Sequence, residues 1–240
     1  MAGIKVIFSP TEQKPFLIIY KPKGIPSAPL TQDDTESALS QAVNLFPQIK
    51  QVTGKKQIEY GLLHRIDTQT DGLLIIAVTQ DCYDFLQDAQ INGKITKYYT
   101  AECEDFRPAS AVYKDSGTIT SYFRPFGPGN KEVRPVTEES GTAALKKIGK
   151  KKLYTTEYKI LNKNKENKTC LVECKIVEGY RHQVRSHLAW IGLPIVGDEL
   201  YNKKNAGLQS NPTMKFSATK IEFEYPRGDL NSYEIALTWT

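Results

Sequence analysis

An α+β fold is what the pattern of this chain predicts, and three observations carry the prediction. Strand-like and helix-like segments interleave without any repeat period, the strand-like runs follow one another as hairpin-style neighbours, and the helical stretches between them are few. A doubly wound parallel sheet would need a helix after nearly every strand. No Pro- or Ser-rich linker interrupts the 240 residues, so the reading is a single domain over residues 1–240, long enough to bury one sizeable core without disulfide support. Composition agrees, at 40% hydrophobic and 25% charged.

The N-terminal MAGIKVIFSPTEQ is a mixed strand-like segment broken by Pro10 and Glu12. Phe16 to Tyr20 reads as a strand closed by a Lys-Pro-Lys-Gly turn. Asp34 or Thr35 is placed to cap a helix over ESALSQAVNLF, which Pro47 stops. Gly61 to Asp71 is a polar loop and Leu73 to Thr79 a buried strand. A helix from about Asp81 runs to the stop at Asn92 and Gly93. Tyr98–Glu104, Tyr154–Leu161, Thr169–Val177, Lys220–Tyr225 and Tyr233–Trp239 read as strands. Arg181 to Gly192 is helical, with Val184, Leu188 and Ile191 on one stripe, and Pro194 forbids its continuation.

The longest apolar run, Leu73 to Val78, falls far short of the roughly 20 residues of a bilayer-spanning helix. The start of the chain lacks the features of a secretory signal, so a soluble, cytoplasmic protein without membrane association is expected. Cys82, Cys103, Cys170 and Cys174 form no C-x-x-C pair and read as buried reduced thiols. His64, His182 and His187 lack zinc-ligand spacing, so no metal is expected. GPGN at 127–130 is the Gly-rich turn and does not fit a dinucleotide-binding pattern; with no Walker A sequence either, no nucleotide cofactor is expected. The net charge of +5 is concentrated, since Lys146 to Lys168 holds nine Lys against two Glu. Such clustering suits a polyanionic partner as well as a solvated loop.

Three clusters look chemical. Asp67, in HRIDTQTDGLL, sits between Arg65 and a buried strand with Thr68 and Thr70 nearby, an arrangement that serves a catalytic carboxylate or an ordinary turn. Arg181 and Arg185 lie four apart at a helix start with His182 and Gln183, either an anion-holding face or a solvated one. In TKYYTAE, Tyr98 and Tyr99 point to opposite sides of a strand, so one belongs to the core and the other is open for stacking on a base.

Together these segments resemble the RluA-type pseudouridine synthases. HRIDTQTDGLL is similar to the family's H-R-L-D-x-x-T-S-G-L-L motif, GYRHQVRSHLAWIGLPIVGDELY to its G-R-x-H-Q-I-R-x-H-L segment ending in P-I-x-G-D-x-x-Y, KYYTA to its K-x-Y-x-A strand and YKPKGIPS to its K-P-x-G turn. The motifs occur in the family's order from about Phe16 to Tyr201. The resemblance implies the pseudouridine synthase fold, a mixed and largely antiparallel sheet with flanking helices and loops. It implies isomerisation of uridine to pseudouridine in rRNA or tRNA with no cofactor. Asp67 would be the catalytic aspartate, Tyr99 the tyrosine packing on the target base and able to act as general base, and Arg185 the cation paired with Asp67. Arg65, Arg181, His182 and Gln183 would contact RNA, and only about 15 residues precede the first matching strand, which leaves no room for an S4-type module.

Two places depart from the pattern. Asp71 stands where the family has Ser, a second acid four residues from the first, and Arg181 is adjacent to His182 where the family's arginine is one residue further away. The alternative reading is a non-catalytic RNA-binding protein on the same scaffold. A hydrolase using Asp67 and Asp71 as an acid pair has less support.

Overall fold

The computed structural model describes residues 3–108, 113–205, 213–237 and 239. In chain order the elements are β1 (Lys5–Phe8), β2 (Phe16–Lys21), α1 (Ala38–Leu45), β3 (Asp71–Ala77), α2 (Gln80–Ile91), β4 (Thr96–Glu104), β5 (Ser116–Phe126), β6 (Glu132–Val136), the single turn α3 (Thr142–Leu145), β7 (Tyr154–Asn164), β8 (Thr169–Ile176), α4 (Gln183–Trp190), β9 (Phe216–Glu224) and β10 (Leu230–Glu234). They form two compact units, residues up to 97 together with those from 217, and residues 98–216. The chain crosses from one to the other inside β4 and returns inside β9. The α+β class and its largely antiparallel sheet are as expected.

In the first unit the strand order is β1-β2-β3-β9, with β10 paired to β9. All these pairings are antiparallel except β3 with β9, where Asp71 faces Ser217 and Gly72 faces Ala218. Every residue of β3 is buried, as its continuous apolar run predicts. Phe16, Ile18, Leu73, Ile75 and Phe223 form one cluster with Cys82, Leu86 and Ala89 of α2. Full burial of each large aliphatic or aromatic side chain there is worth about 1.5–3 kcal/mol. Gly72 is required by the parallel pairing: its φ is +133°, and a Cβ at this position would lie 2.3 Å from the Ala218 carbonyl oxygen.

The strand order of the second unit is β4-β8-β7-β5-β6. Strand β8 alternates strictly between half-buried and buried positions, the period-2 signature of a sheet with one face in a core. Phe123, Val133 and Tyr154 centre that unit's aromatic cluster, and Phe123 stacks on Tyr180 at 4.9 Å. His187 lies inside it, with Nε2 2.9 Å from Ser121 Oγ and Nδ1 2.9 Å from Thr156 Oγ1, and burial lowers its pKa to about 4. The four cysteines are buried and unpaired.

Helices α1, α2 and α4 agree with the sequence to within two residues, with one correction, and the turn α3 is an addition to it. Helix α1 is capped by Ser37, whose hydroxyl accepts from Ser40 N at 3.0 Å, and not by Asp34 or Thr35. Asp34 is spent on the preceding loop, where its carboxylate accepts from Leu30 N and Glu36 N, so the chain turns once more before the helix begins. Strands β5 and β6 are additions to the sequence reading. Of the expected C-terminal strand, β10 takes Tyr233 and Glu234, and Thr238 is outside the described residues, as are Met1 and Ala2 of the N-terminal segment. No helix among the described residues is long and apolar enough to cross a membrane.

Candidate active site

The Asp67 loop belongs to the first unit. It leaves the sheet at Leu63, whose N–H donates to the Ile75 carbonyl at 3.1 Å, and regains it at Asp71. Ser27 grips the residue before the aspartate from both sides: its hydroxyl donates to the Ile66 carbonyl (2.7 Å) and accepts from Ile66 N (3.1 Å). After the aspartate, Thr70 N donates to the Asp67 carbonyl at 3.0 Å and closes a turn. Gly24 N donates to the Thr68 carbonyl at 2.8 Å. Asp67 therefore projects half-buried from a backbone fixed on both flanks.

Lys21 completes this lacing, and sequence reasoning passed over it as part of a turn. It is 0% exposed and its ammonium donates to the carbonyls of Pro22 (2.8 Å), Ile25 (2.9 Å) and Thr68 (3.2 Å), joining the 21–25 turn to the aspartate loop. Burial lowers its pKa to about 8, against the opposing pull of the Asp71 and Asp67 carboxylates. The available signal was a lysine at the end of the apolar run FLIIYK, where a side chain continues into the core.

Asp71, the departure from the family pattern, is 1% exposed. Its Oδ1 accepts from Ser217 Oγ at 2.7 Å and lies 3.5 Å from Lys23 Nζ, and its Oδ2 accepts from the Tyr20 hydroxyl at 3.0 Å. Trp239 Nε1 donates to the same Ser217 hydroxyl, and Lys23 Nζ sits 5.7 Å from the Trp239 ring centre. Neighbouring His64 is turned inward, with neither ring nitrogen hydrogen-bonded among the described residues; burial first and Lys97 second push its pKa to about 3, so the imidazole is neutral. Arg65 is largely exposed, with Nη1 3.3 Å from Glu59.

The other sequence-selected residues lie in the second unit. Tyr99, on β4, is 8% exposed and its ring stacks on Phe216 at 5.3 Å, while Tyr98 is half-buried. Arg185, on α4, is 7% exposed and forks onto Asp198, with Nε 2.7 Å from Oδ2 and Nη2 2.8 Å from Oδ1. Asp198 also accepts from Leu200 N and Tyr201 N, so one carboxylate fixes both the guanidinium and the loop after Gly197. The Tyr201 ring lies 5.2 Å from the Arg185 guanidinium, and its hydroxyl accepts from Val133 N.

His182 starts α4 with a φ of +54°, and its Nδ1 is 3.1 Å from the Tyr201 hydroxyl. The Gln183 amide is 2% exposed; it accepts from Tyr180 N and donates to the Thr155 carbonyl and Thr156 Oγ1. Arg181 donates through Nη2 to the carbonyls of Asn130 and Glu132, tying the start of α4 to the β5–β6 turn. Asp198 was inside a quoted motif but was not singled out; its adjacency to Gly197 is the pattern that marks it.

Comparison with known proteins bears on the whole chain. The family model described as RNA pseudouridylate synthase matches residues 15–190. An uncharacterised RNA pseudouridine synthase of Bacillus subtilis, YlyB, is 25% identical over 94% of this chain and 67% of its own length. The ribosomal large subunit pseudouridine synthase D of Yersinia pestis is 26% identical over 79% of this chain and 51% of its own. A further relative, an uncharacterised RNA pseudouridine synthase homologue of Mycoplasma pneumoniae, is 29% identical and is spanned over 61% of its length. The chain thus spans about half to two thirds of these relatives. Among solved structures, human RNA pseudouridylate synthase domain containing 1 superposes with a TM-score of 0.71 at 16% identity, covering 98% of this chain and 83% of that one, which shows the fold. Family model, relatives and fold agree: this chain belongs to the RNA pseudouridylate synthase family.

Proposed function

We propose that this protein isomerises uridine to pseudouridine in RNA, with Asp67 as its catalytic carboxylate and Tyr99 and Arg185 as its companions. The observation that carries the reading is the aspartate loop itself. Ser27 on Ile66 and Lys21 with Gly24 on Thr68 hold the backbone on either side of Asp67, the preorganisation that a group acting on a developing charge requires.

The reaction rearranges one nucleotide. The N1–C1′ bond breaks, the uracil turns within the site, C5 bonds to C1′, and the proton on C5 leaves while N1 gains one. No electron is transferred to a carrier and no group is donated, in keeping with the absence of any cofactor motif in the sequence. Asp67 faces the positive charge that grows at C1′ as N1 departs. Arg185, with Nε and Nη2 oriented by Asp198, is assigned as the cation paired with the Asp67 carboxylate. Tyr99, braced on Phe216, packs on the base and accepts the C5 proton. The uridine must leave its stack first, so Arg65, Arg181 and His182 are assigned to the RNA that flanks it, while Gln183, its amide spent on Tyr180, Thr155 and Thr156, positions the start of α4. Ribosomal RNA is the first substrate to test, because a relative is named for the large ribosomal subunit, and tRNA the second; a cytoplasmic location is part of the same proposal.

The test uses rRNA and tRNA from cells lacking this protein. Carbodiimide-dependent stops in reverse transcription are mapped after incubation with the wild-type chain and with Asp67→Asn. New stops with the wild type, reduced at least ~10³-fold in rate by the substitution, support the reading. RNA binding without any new stop overturns it in favour of a non-catalytic RNA-binding protein.

A further inference from the structure

The β5–β6 hairpin puts two arginines where an antiparallel ladder ordinarily avoids them. Arg124 and Arg134 are direct cross-strand partners, in a register that runs from Tyr122 opposite Val136 to Phe126 opposite Glu132. Like charges so placed destabilise a strand pair. Phe123 and Val133 point into the core, so the alternation of the strands sends Arg124, Phe126 and Arg134 to the opposite, outward face.

Phe126 holds both cations, with the Arg134 guanidinium carbon 3.2 Å and that of Arg124 5.0 Å from its ring centre. Neither guanidinium has a hydrogen-bond or carboxylate partner among the described residues. Glu132 is the acid on this face, and its carboxyl turns toward Gly127. Arg181 braces the hairpin from behind through the Asn130 and Glu132 carbonyls. The Gly149 N–H donates to the Phe123 carbonyl at 3.3 Å, which lays the exposed Lys146, Lys147, Lys150 and Lys151 alongside β5.

We propose that the outward face of the β5–β6 hairpin is a phosphate clamp for the RNA backbone, with Arg124 and Arg134 as its paired jaws and the four lysines as its continuation. The inference rests on the RNA reading above and extends it to a surface distinct from the Asp67 loop. Guanidinium forks suit phosphate oxygens bidentately, and stacking on Phe126 removes side-chain freedom before the ligand arrives. A row of lysines beside them matches a partner whose charges are spaced along a chain. The repulsion within the empty clamp is relieved when a phosphate enters, which is the physical reason for retaining an otherwise unfavourable pair.

Filter binding of a large-subunit rRNA transcript and of total tRNA, across a KCl series, compares the wild type with an Arg124→Gln, Arg134→Gln double variant. Affinity should fall roughly tenfold at physiological salt, and the slope of log K against log salt should shrink by about 1.4 to 1.8, the share of two phosphate contacts. The thermal midpoint should hold or rise, because the opposed charges are gone. An Arg124→Lys, Arg134→Lys variant should recover most of the slope and part of the affinity. Wild-type affinity and slope in the Gln variant overturn the clamp, as does a loss of binding accompanied by a fall in midpoint, or poly-L-glutamate competing on equal terms with RNA. Clamp-dependent binding by a wild-type protein that forms no pseudouridine would sink the synthase reading and leave the clamp intact. Full modification with unaltered binding in the variant would do the reverse.

Discussion

Lys21 in the first unit and Arg185 in the second are both buried cations within the family's motif segments, and the protein satisfies them in opposite ways. Lys21 donates to three backbone carbonyls, while the carboxylates of Asp71 and Asp67 act on it through space. Arg185 meets a carboxylate directly and bidentately. Neutral dipoles stabilise an ammonium less than a charge does, so burial wins and the Lys21 pKa falls to about 8. A guanidinium does not deprotonate in this range, so the Arg185–Asp198 pair persists across it. The difference teaches that the aspartate loop is laced by a group close to losing its proton, whereas the α4 site is locked by a bidentate ion pair.

Breaking the locked pair should have the largest effect on stability. Asp198→Asn removes the carboxylate charge that takes Nε and Nη2 of a buried guanidinium and should cost about 3–5 kcal/mol. In a chain of this size that is a drop of roughly 6–20 °C in the thermal midpoint, readable by calorimetry. A shift under about 2 °C would show that the pair is worth little and the contrast with Lys21 is unfounded.

Removing the ammonium comes next. Lys21→Met leaves three carbonyls without their donor and should cost about 2–4 kcal/mol at pH 7. Its pH dependence is the sharper reading. The folded pKa lies below the unfolded 10.5, so the unfolded chain holds more protons between about 8 and 10.5 and the wild type gains stability as pH rises through that window. Denaturant melts at pH 8 and pH 10 should show the gain in the wild type and its loss in the variant.

The smallest effect contrasts the two buried histidines. His187 has two hydroxyl partners and His64 has no hydrogen-bond partner among the described residues, yet burial keeps both neutral. His187 has a folded pKa of about 4 against 6.5 unfolded, so its contribution is complete above pH 6.5 and is lost as pH falls toward 4. At pH 5 the loss is about 2 kcal/mol. His187→Gln should flatten that part of the acid limb and leave the share of His64, whose folded pKa of about 3 carries its loss to lower pH.

What was legible in the sequence followed local chemistry. Strand β3 announces itself because six consecutive apolar residues have no other economical fate, and α2 and α4 because their apolar spacing and the residues that stop them agree. Strands β5 and β6 escaped because SGTITSYFRPF and EVRPV mix polar residues with proline, and their pairing is with one another and with β7, information no short window holds. The α1 cap was misplaced for a related reason: Asp34 and Ser37 are equally good acceptors, and the loop before the helix decided between them.

The sequence by itself determined the α+β class, the order of the motifs and the identity of the residues around Asp67, Tyr99 and Arg185, because periodicity and residue chemistry are written locally. Only the tertiary structure decided that Lys21 is the clasp of the aspartate loop, that Asp71 is bound by Tyr20, Ser217 and Lys23, that Asp198 locks Arg185, and that Arg124 and Arg134 stand opposed over Phe126. Burial, register and the satisfaction of buried charge depend on residues far apart in sequence, 146 positions in the case of Asp71 and Ser217, and those distances close only when the chain folds.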